Sequence, residues 1–219
     1  MQVKVCGMRS LENIRAMKAL PIDHMGFIFY KDSPRNAAGA DGLSEALSDE
    51  NWDSNIKRVG VFVDVEIDVV FHHVHDYSLD FVQLHGSESP EYCRTLLDLW
   101  GATSMRSAKL IKAFSIGDAS DFEQVQAYET LCSLFIFDTK GKNKGGNGTK
   151  FDWSLLDNYQ GIIPFLLSGG IDENAADAIR ALRFPQLAGV DINSRFEIEA
   201  GLKDVPKVQQ FVRELNRDF

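Results

Sequence analysis

Cysteine is scarce and unpaired in this chain. There are three, Cys6, Cys93 and Cys132, widely spaced and forming no C-x-x-C pair of the kind that holds zinc. That excludes a disulfide framework and favours a reducing compartment, the cytoplasm. Long apolar runs are also missing: nothing approaches the ~20 residues that cross a bilayer. The opening MQVKVCGMRS enters strand-like alternation directly, without the apolar core of a signal peptide. A soluble protein with no membrane partner is expected. Basic charge is in deficit, with 23 Lys and Arg against 32 Asp and Glu for a net charge of −9. With no compensating basic stripe, nucleic acid is excluded as the main partner. An anionic substrate would need locally placed arginines or backbone amides to overcome the overall field. Proline numbers six, and no Pro/Ser-rich linker or low-complexity tract divides the 219 residues. A composition of 44% hydrophobic and 25% charged residues is ordinary for a globular chain. One domain over residues 1–219 is expected.

What is present is a repeating pattern. Eight short apolar runs have the length and content of buried parallel strands: VKVC from Val3, MGFIFY from Met25, RVGVFV from Arg58, FVQLH from Phe81, LIKAF from Leu110, LFIFD from Leu134, PFLLS from Pro164 and AGVDI from Ala188. Helical periodicity fills most of the intervals. It shows as Ile14, Met17 and Leu20 after the first run, Ile67, Val70 and Val74 after the third, and Tyr92, Leu96 and Trp100 after the fourth. Phe122, Val125, Tyr128 and Leu131 follow the fifth run, Ala175, Ile179 and Leu182 the seventh, and Val208, Phe211, Val212 and Leu215 the last. The second interval is rich in Ala, Gly, Ser and Asp and leaves room for a helix only around Leu43 to Trp52. Strand and helix alternating eight times, at roughly 27 residues per unit, predict a single-domain (β/α)8 TIM barrel of the α/β class. The alternative, a doubly wound open sheet, usually carries a G-x-G-x-x-G turn after its first strand, which Cys6-Gly7-Met8-Arg9 does not supply.

In such a barrel the carboxyl ends of the strands face the ligand. Those positions are Cys6, Tyr30, Asp64, His85, Phe114, Asp138, Ser168 with Gly169-Gly170, and Asp191 with Asn193-Ser194. Read singly, Cys6 fits a small buried hydrophobe, His85 a structural hydrogen-bonder, Asp191 and Asp138 caps of the loops they precede, and Asp64 a residue with no role in the site. Together they concentrate reactive types where this fold builds a site. Asp138 closes a buried strand at the mouth of a loop rich in glycine and lysine, Lys140 to Lys150. Glycine pairs after the seventh strand, Gly169-Gly170, and after the sixth, Gly145-Gly146, fit a phosphate cradle. There backbone amides and a helix N-terminus meet an anion with no Cβ in the way.

These segments also resemble a known family. VKVCGM, GFIFYKDSPR, RVGVFV, VQLHG, FDTK with GGNGTKFDWSLL, LSGGI and GVDINS resemble phosphoribosylanthranilate isomerase, in family order from residue 3 to residue 197. The resemblance implies a small (β/α)8 barrel that performs an Amadori rearrangement on a phosphosugar in tryptophan biosynthesis. It implies no cofactor, no metal, and either a monomer or a homodimer. It makes Cys6 the general base and Asp138 the general acid, and sets Arg35 opposite the anthranilate carboxylate. Gly146, Gly169, Gly170, Asn193 and Ser194 fall in its phosphate loops, while His85 and Asp191 line the site. The chemistry suits these types. Ring opening needs a protonated carboxylic acid, which an apolar surround favours, and the following C–H abstraction suits a thiolate. One departure stands out: Arg195 occupies a place where family members often have Gly. It either supplies an extra cation or restricts how the backbone meets phosphate. The sister Amadori isomerase of histidine biosynthesis is disfavoured, because it uses aspartate at the end of the first strand. A non-catalytic phosphosugar-binding barrel is disfavoured by the presence of both Cys6 and Asp138.

Overall fold

The computed structural model describes residues 1–104, 106–139 and 152–217. Eight strands close into a parallel barrel in sequence order, β1 (Gln2–Val5), β2 (His24–Ile28), β3 (Lys57–Phe62), β4 (Phe81–Leu84), β5 (Lys109–Ile116), β6 (Leu134–Thr139), β7 (Phe165–Leu167) and β8 (Leu187–Ile192). Ring closure is direct, with Lys4 of β1 in register with Asp191 of β8. Each strand falls on one of the apolar runs, as expected for strands covered on both faces. Alternation sorts their side chains. Val59, Ile111, Ala113, Leu134, Ile136 and Leu166 form a separate buried cluster inside the barrel, while the larger core lies between strands and helices.

The covering elements are α1 (Leu11–Lys18), α2 (Leu43–Leu47), α3 (Ile67–Asp76), α4 (Pro90–Gly101), α5 (Ala176–Ala181) and α6 (Val205–Leu215). Caps start two of them. Ser89 Oγ accepts from the Tyr92 N–H ahead of α4, and Asp204 accepts from the Lys207 N–H ahead of α6, each with proline in the first turn.

Three expectations are corrected. The interval after β5 is a pair of 3-10 turns, Ala119–Phe122 and Val125–Tyr128, not an amphipathic α-helix. Phe122, Val125 and Tyr128 recur every third residue, which is the period of a 3-10 helix and gives an α-helix no i,i+4 partner. α2 stops at Leu47 because Asp49 and Asp53 bond the backbone N–H groups of Asn51 and Asn55, competing with the helix ladder. Phe114 is not a strand end: β5 runs on to Ile116, and Phe114 packs outward on Tyr128 and Phe135. One element was not foreseen, an antiparallel pair β9 (Glu197–Glu199) and β10 (Leu202–Lys203) between β8 and α6.

Candidate active site

Cys6 sits one residue beyond β1, its N–H bonded to the Ile192 carbonyl of β8 at 2.9 Å. Two residues earlier on the same inward face is Lys4, fully buried, with Nζ 2.9 Å from Asp191 Oδ1. Space for this cluster comes from Gly26 on β2. A Cβ there would lie 3.0 Å from Cys6 Sγ and 3.2 Å from Lys4 Nζ, so both atoms converge on one point. Burial pushes the Cys6 thiol up; the Lys4 charge opposes it, Asp191 adds to it, and Lys203 opposes it, with a net rise. Burial would push Lys4 down, but Asp191 and Cys6 more than reverse this and hold its ammonium above the usual value.

Asp138 lies across the barrel on β6. Asp138 Oδ2 is 3.8 Å from His85 Nε2 at the end of β4, and both side chains are open at the mouth. Gln83, two residues before His85 and on the same face, places its amide nitrogen 2.8 Å from His85 Nδ1. With that amide donating to Nδ1, the neutral imidazole carries its proton on Nε2, the nitrogen facing Asp138. The loop beyond His85 is anchored from below. Glu88 accepts from the Asp64 and Gly86 N–H groups and pairs with buried Lys112 at 3.2 Å. Asp64, at a left-handed φ of 50°, accepts from Ser87 N–H and so serves this turn.

A third group ties the ends of the chain together over Gly7. Arg35 bonds Glu197 through Nε at 2.9 Å and Nη2 at 2.6 Å, leaving Nη1 outside the pair. Lys203 of β10, with no exposed side-chain surface, donates to Glu197 Oε1 at 2.6 Å and Asn193 Oδ1 at 2.7 Å. Gly7 takes φ 78°, and a Cβ on it would fall 2.7 Å from Asn193 Oδ1 and 2.8 Å from Arg35 Cδ. Glycine is required there twice over, by conformation and by space. Burial pushes the Glu197 carboxyl up, but the Arg35 hydrogen bonds and the Lys203 charge outweigh it and hold it below the usual range.

Of the residues assigned to phosphate, Gly169 and Gly170 form the turn after β7, both left-handed at φ 86° and 67°. Asn193 and Ser194 follow β8, the latter opening a 3-10 turn that contains exposed Arg195. Gly146 lies outside the described residues. The helix expected to present its N-terminus here, α5, begins only at Ala176 and spans six residues, so the glycine turn does not lead straight into it.

The structure therefore gathers Cys6 and Asp191 on one side of the mouth and His85 and Asp138 on the other. Arg35 and Asn193 meet at the seam where β1 meets β8. The model of the N-(5′-phosphoribosyl)anthranilate (PRA) isomerase family matches residues 3–214. The chain belongs to this family. The N-(5′-phosphoribosyl)anthranilate isomerase of Parabacteroides distasonis is 46% identical over 215 residues, spanning 98% of this chain and 93% of that one. The solved PRA isomerase of Thermotoga maritima superposes with a TM-score of 0.80 at 29% identity, covering 98% of each chain. A PRA isomerase solved in complex with reduced 1-(o-carboxyphenylamino)-1-deoxyribulose 5-phosphate gives 0.78 at 26% identity, again over 98% of each.

Four residues around this PRA isomerase site escaped the sequence reading: Lys4, Gln83, Glu197 and Lys203. The first two were findable. Each is the single polar residue inside an apolar run, two positions before a strand-end residue, and period-2 alternation puts it on the same inward face. Glu197 and Lys203 belong to the unforeseen β9–β10 pair and carry no local signal.

Proposed function

We propose that this chain converts N-(5′-phosphoribosyl)anthranilate to 1-(2-carboxyphenylamino)-1-deoxy-D-ribulose 5-phosphate in tryptophan biosynthesis, with Cys6 as base and Asp138 as acid. The observation that carries this reading is the division of the mouth into two poles. A thiol beside a buried ammonium stands just beyond β1, and a carboxyl beside an imidazole stands near the end of β6, in a chain of this family.

Asp138 protonates the furanose ring oxygen as its bond to C1′ breaks, and the nitrogen lone pair forms the iminium. Cys6, as thiolate, takes the C2′ proton. The C–H electron pair becomes the C1′–C2′ double bond and the iminium pair returns to nitrogen, giving an enolamine that tautomerises to the ketose. His85 orients Asp138 through Nε2. Arg35 offers Nη1 to the anthranilate carboxylate while Glu197 fixes the rest of the guanidinium. Asp191 keeps Oδ1 on Lys4 and turns Oδ2 to the substrate. Gly169, Gly170, Asn193 and Ser194, with Gly146, hold the phosphate. Fixing both non-reacting ends sets C1′ and C2′ between acid and base. The whole of 1–219 acts as one catalytic domain in the cytoplasm, as a monomer or homodimer, and needs no cofactor.

The test is anthranilate-fluorescence turnover with phosphoribosylanthranilate generated in situ, comparing wild type, Cys6→Ser and Asp138→Asn. Substrate fluorescence should disappear with wild type alone. Folded wild type without turnover would end the proposal, and near-wild-type kcat in either variant would remove that residue from its role.

A further inference from the structure

We propose that Lys4 is the positioning residue that governs the proton of Cys6: its one buried ammonium is shared between the Asp191 carboxylate and the Cys6 sulfur, so the two anions compete for a single cation. This rests on the reading of Cys6 as the base and adds the group that makes it one. Lysine is an expensive choice for the inside of a barrel whose buried inward cluster is built of residues such as Val59, Ile111, Ile136 and Leu166. Packing alone would accept an aliphatic side chain there, and a buried ion pair is a poor source of net stability. What a hydrophobe would not do is meet Cys6. Lys4 Nζ and Cys6 Sγ reach the same small space over Gly26, where the ammonium's charge favours the thiolate.

The neighbourhood of Cys6 is otherwise balanced. On β8, Asp191 opposes thiolate formation; on β10, Lys203 favours it, but its Nζ already donates to Glu197 and Asn193. Arg35, from the loop after β2, faces the same sulfur with its guanidinium held by Glu197. Lys4 is thus the cation bonded to Asp191 whose Nζ also converges with the Cys6 sulfur over Gly26. In the resting state burial keeps Cys6 a thiol. When the thiol loses its proton to solvent, Lys4 leans from Asp191 toward sulfur; when the thiolate takes the C2′ proton, Lys4 returns to Asp191. The lysine stays an ammonium throughout, so no proton is unaccounted for.

Sharing predicts shifts of opposite sign, which a merely structural pair does not. The probe is iodoacetamide, with alkylation of Cys6 followed across pH by peptide mass spectrometry so that Cys93 and Cys132 are read apart. The thiolate displaces iodide, and the midpoint of the rate reports thiol ionisation. Lys4→Met should move that midpoint up by about one to three pH units, and Lys4→Arg should restore most of it. Asp191→Asn, nearly the same shape, should move it down. If Lys4→Met fails to fold, Asp191→Asn decides alone: an unchanged or raised midpoint overturns the proposal. The wild-type fluorescence assay separates the two claims. Loss of the isomerase reading would appear as an inactive wild type or an active Cys6→Ser. Loss of the Lys4 proposal would appear as unmoved midpoints in an enzyme that turns over.

Discussion

Gly26→Ala places one methyl group at the point where Cys6 and Lys4 converge. The new Cβ would stand 3.0 Å from Cys6 Sγ, 3.1 Å from Cys6 Cα and 3.2 Å from Lys4 Nζ. Sulfur and ammonium can swing, but the Cα belongs to the barrel wall, so relief comes at the expense of the two reactive groups. An inserted methyl in a filled core costs about 1–3 kcal/mol. Replacing Gly in a strand returns about 0.4–1 kcal/mol by restricting the unfolded chain, leaving a net loss of roughly 1–2 kcal/mol. At about 2–4 °C per kcal/mol for a chain of this size, Tm should fall by about 2–8 °C. The effect on rate should be larger than the effect on stability. Misplacing a reacting group by an ångström costs about a hundredfold, so a displacement of tenths of an ångström should lower kcat by about tenfold or more. KM should change little, since the residues proposed to hold the phosphate and carboxylate ends lie elsewhere. Scanning calorimetry and fluorescence turnover read the two quantities on one preparation. A lowered Tm with unchanged kcat would show that the space over Gly26 is structural only and would refute the placement of the base.

Three further outcomes are expected. Arg35→Ala should raise KM far more than it lowers kcat, and an unchanged KM would contradict a carboxylate contact at Nη1. Glu197→Ala strands the buried Lys203 and should cost roughly 3–5 kcal/mol in urea unfolding, whereas Glu197→Gln, which keeps one acceptor oxygen and the shape, should cost less; a Gln variant as stable as wild type would argue against a charge requirement. His24, buried at the opposite end of the barrel with its ring edge-on to Phe81, titrates at about 4 because burial disfavours its charged form, Lys4 and Lys57 adding to the effect. The unfolded chain binds this proton first, so stability should fall by up to about 3 kcal/mol as pH drops from the unfolded value near 6.5 to about 4. His24→Leu should flatten that part of a Tm-against-pH curve, and an unaltered slope would locate the acid sensitivity elsewhere.

The eight strands were legible because a parallel barrel buries both faces of each strand, and such strands appear in sequence as unbroken apolar runs. The helices were less so. Phe122, Val125 and Tyr128 read as one helical face until the structure showed that a strict three-residue spacing belongs to 3-10 turns, and the aspartates that shorten α2 act through local bonds that hydrophobic pattern does not register. Cys6, His85 and Asp138 stood out as reactive types at strand ends. Lys4 and Gln83, which condition them, were concealed by the same apolar runs that revealed the strands. Phe114 was misassigned because β5 extends two residues past the apolar run used to bound it. Glu197 and Lys203 depend on pairings fixed only in three dimensions, the backbone N–H of Lys203 reaching back 190 residues to Asn13.

That distance bears on how the enzyme comes into being. Lys4 and Asp191 are 187 residues apart in the chain, yet they touch where the barrel closes. Synthesis delivers Cys6 and Lys4 among the first residues, and Asp191, Asn193, Glu197 and Lys203 among the last. Until then Cys6 is an ordinary solvent-exposed thiol on a nascent chain. The surroundings proposed to make Cys6 a base are therefore assembled by ring closure itself, so an unfinished or C-terminally shortened chain holds the residue without them. Chemistry begins when the last strand meets the first.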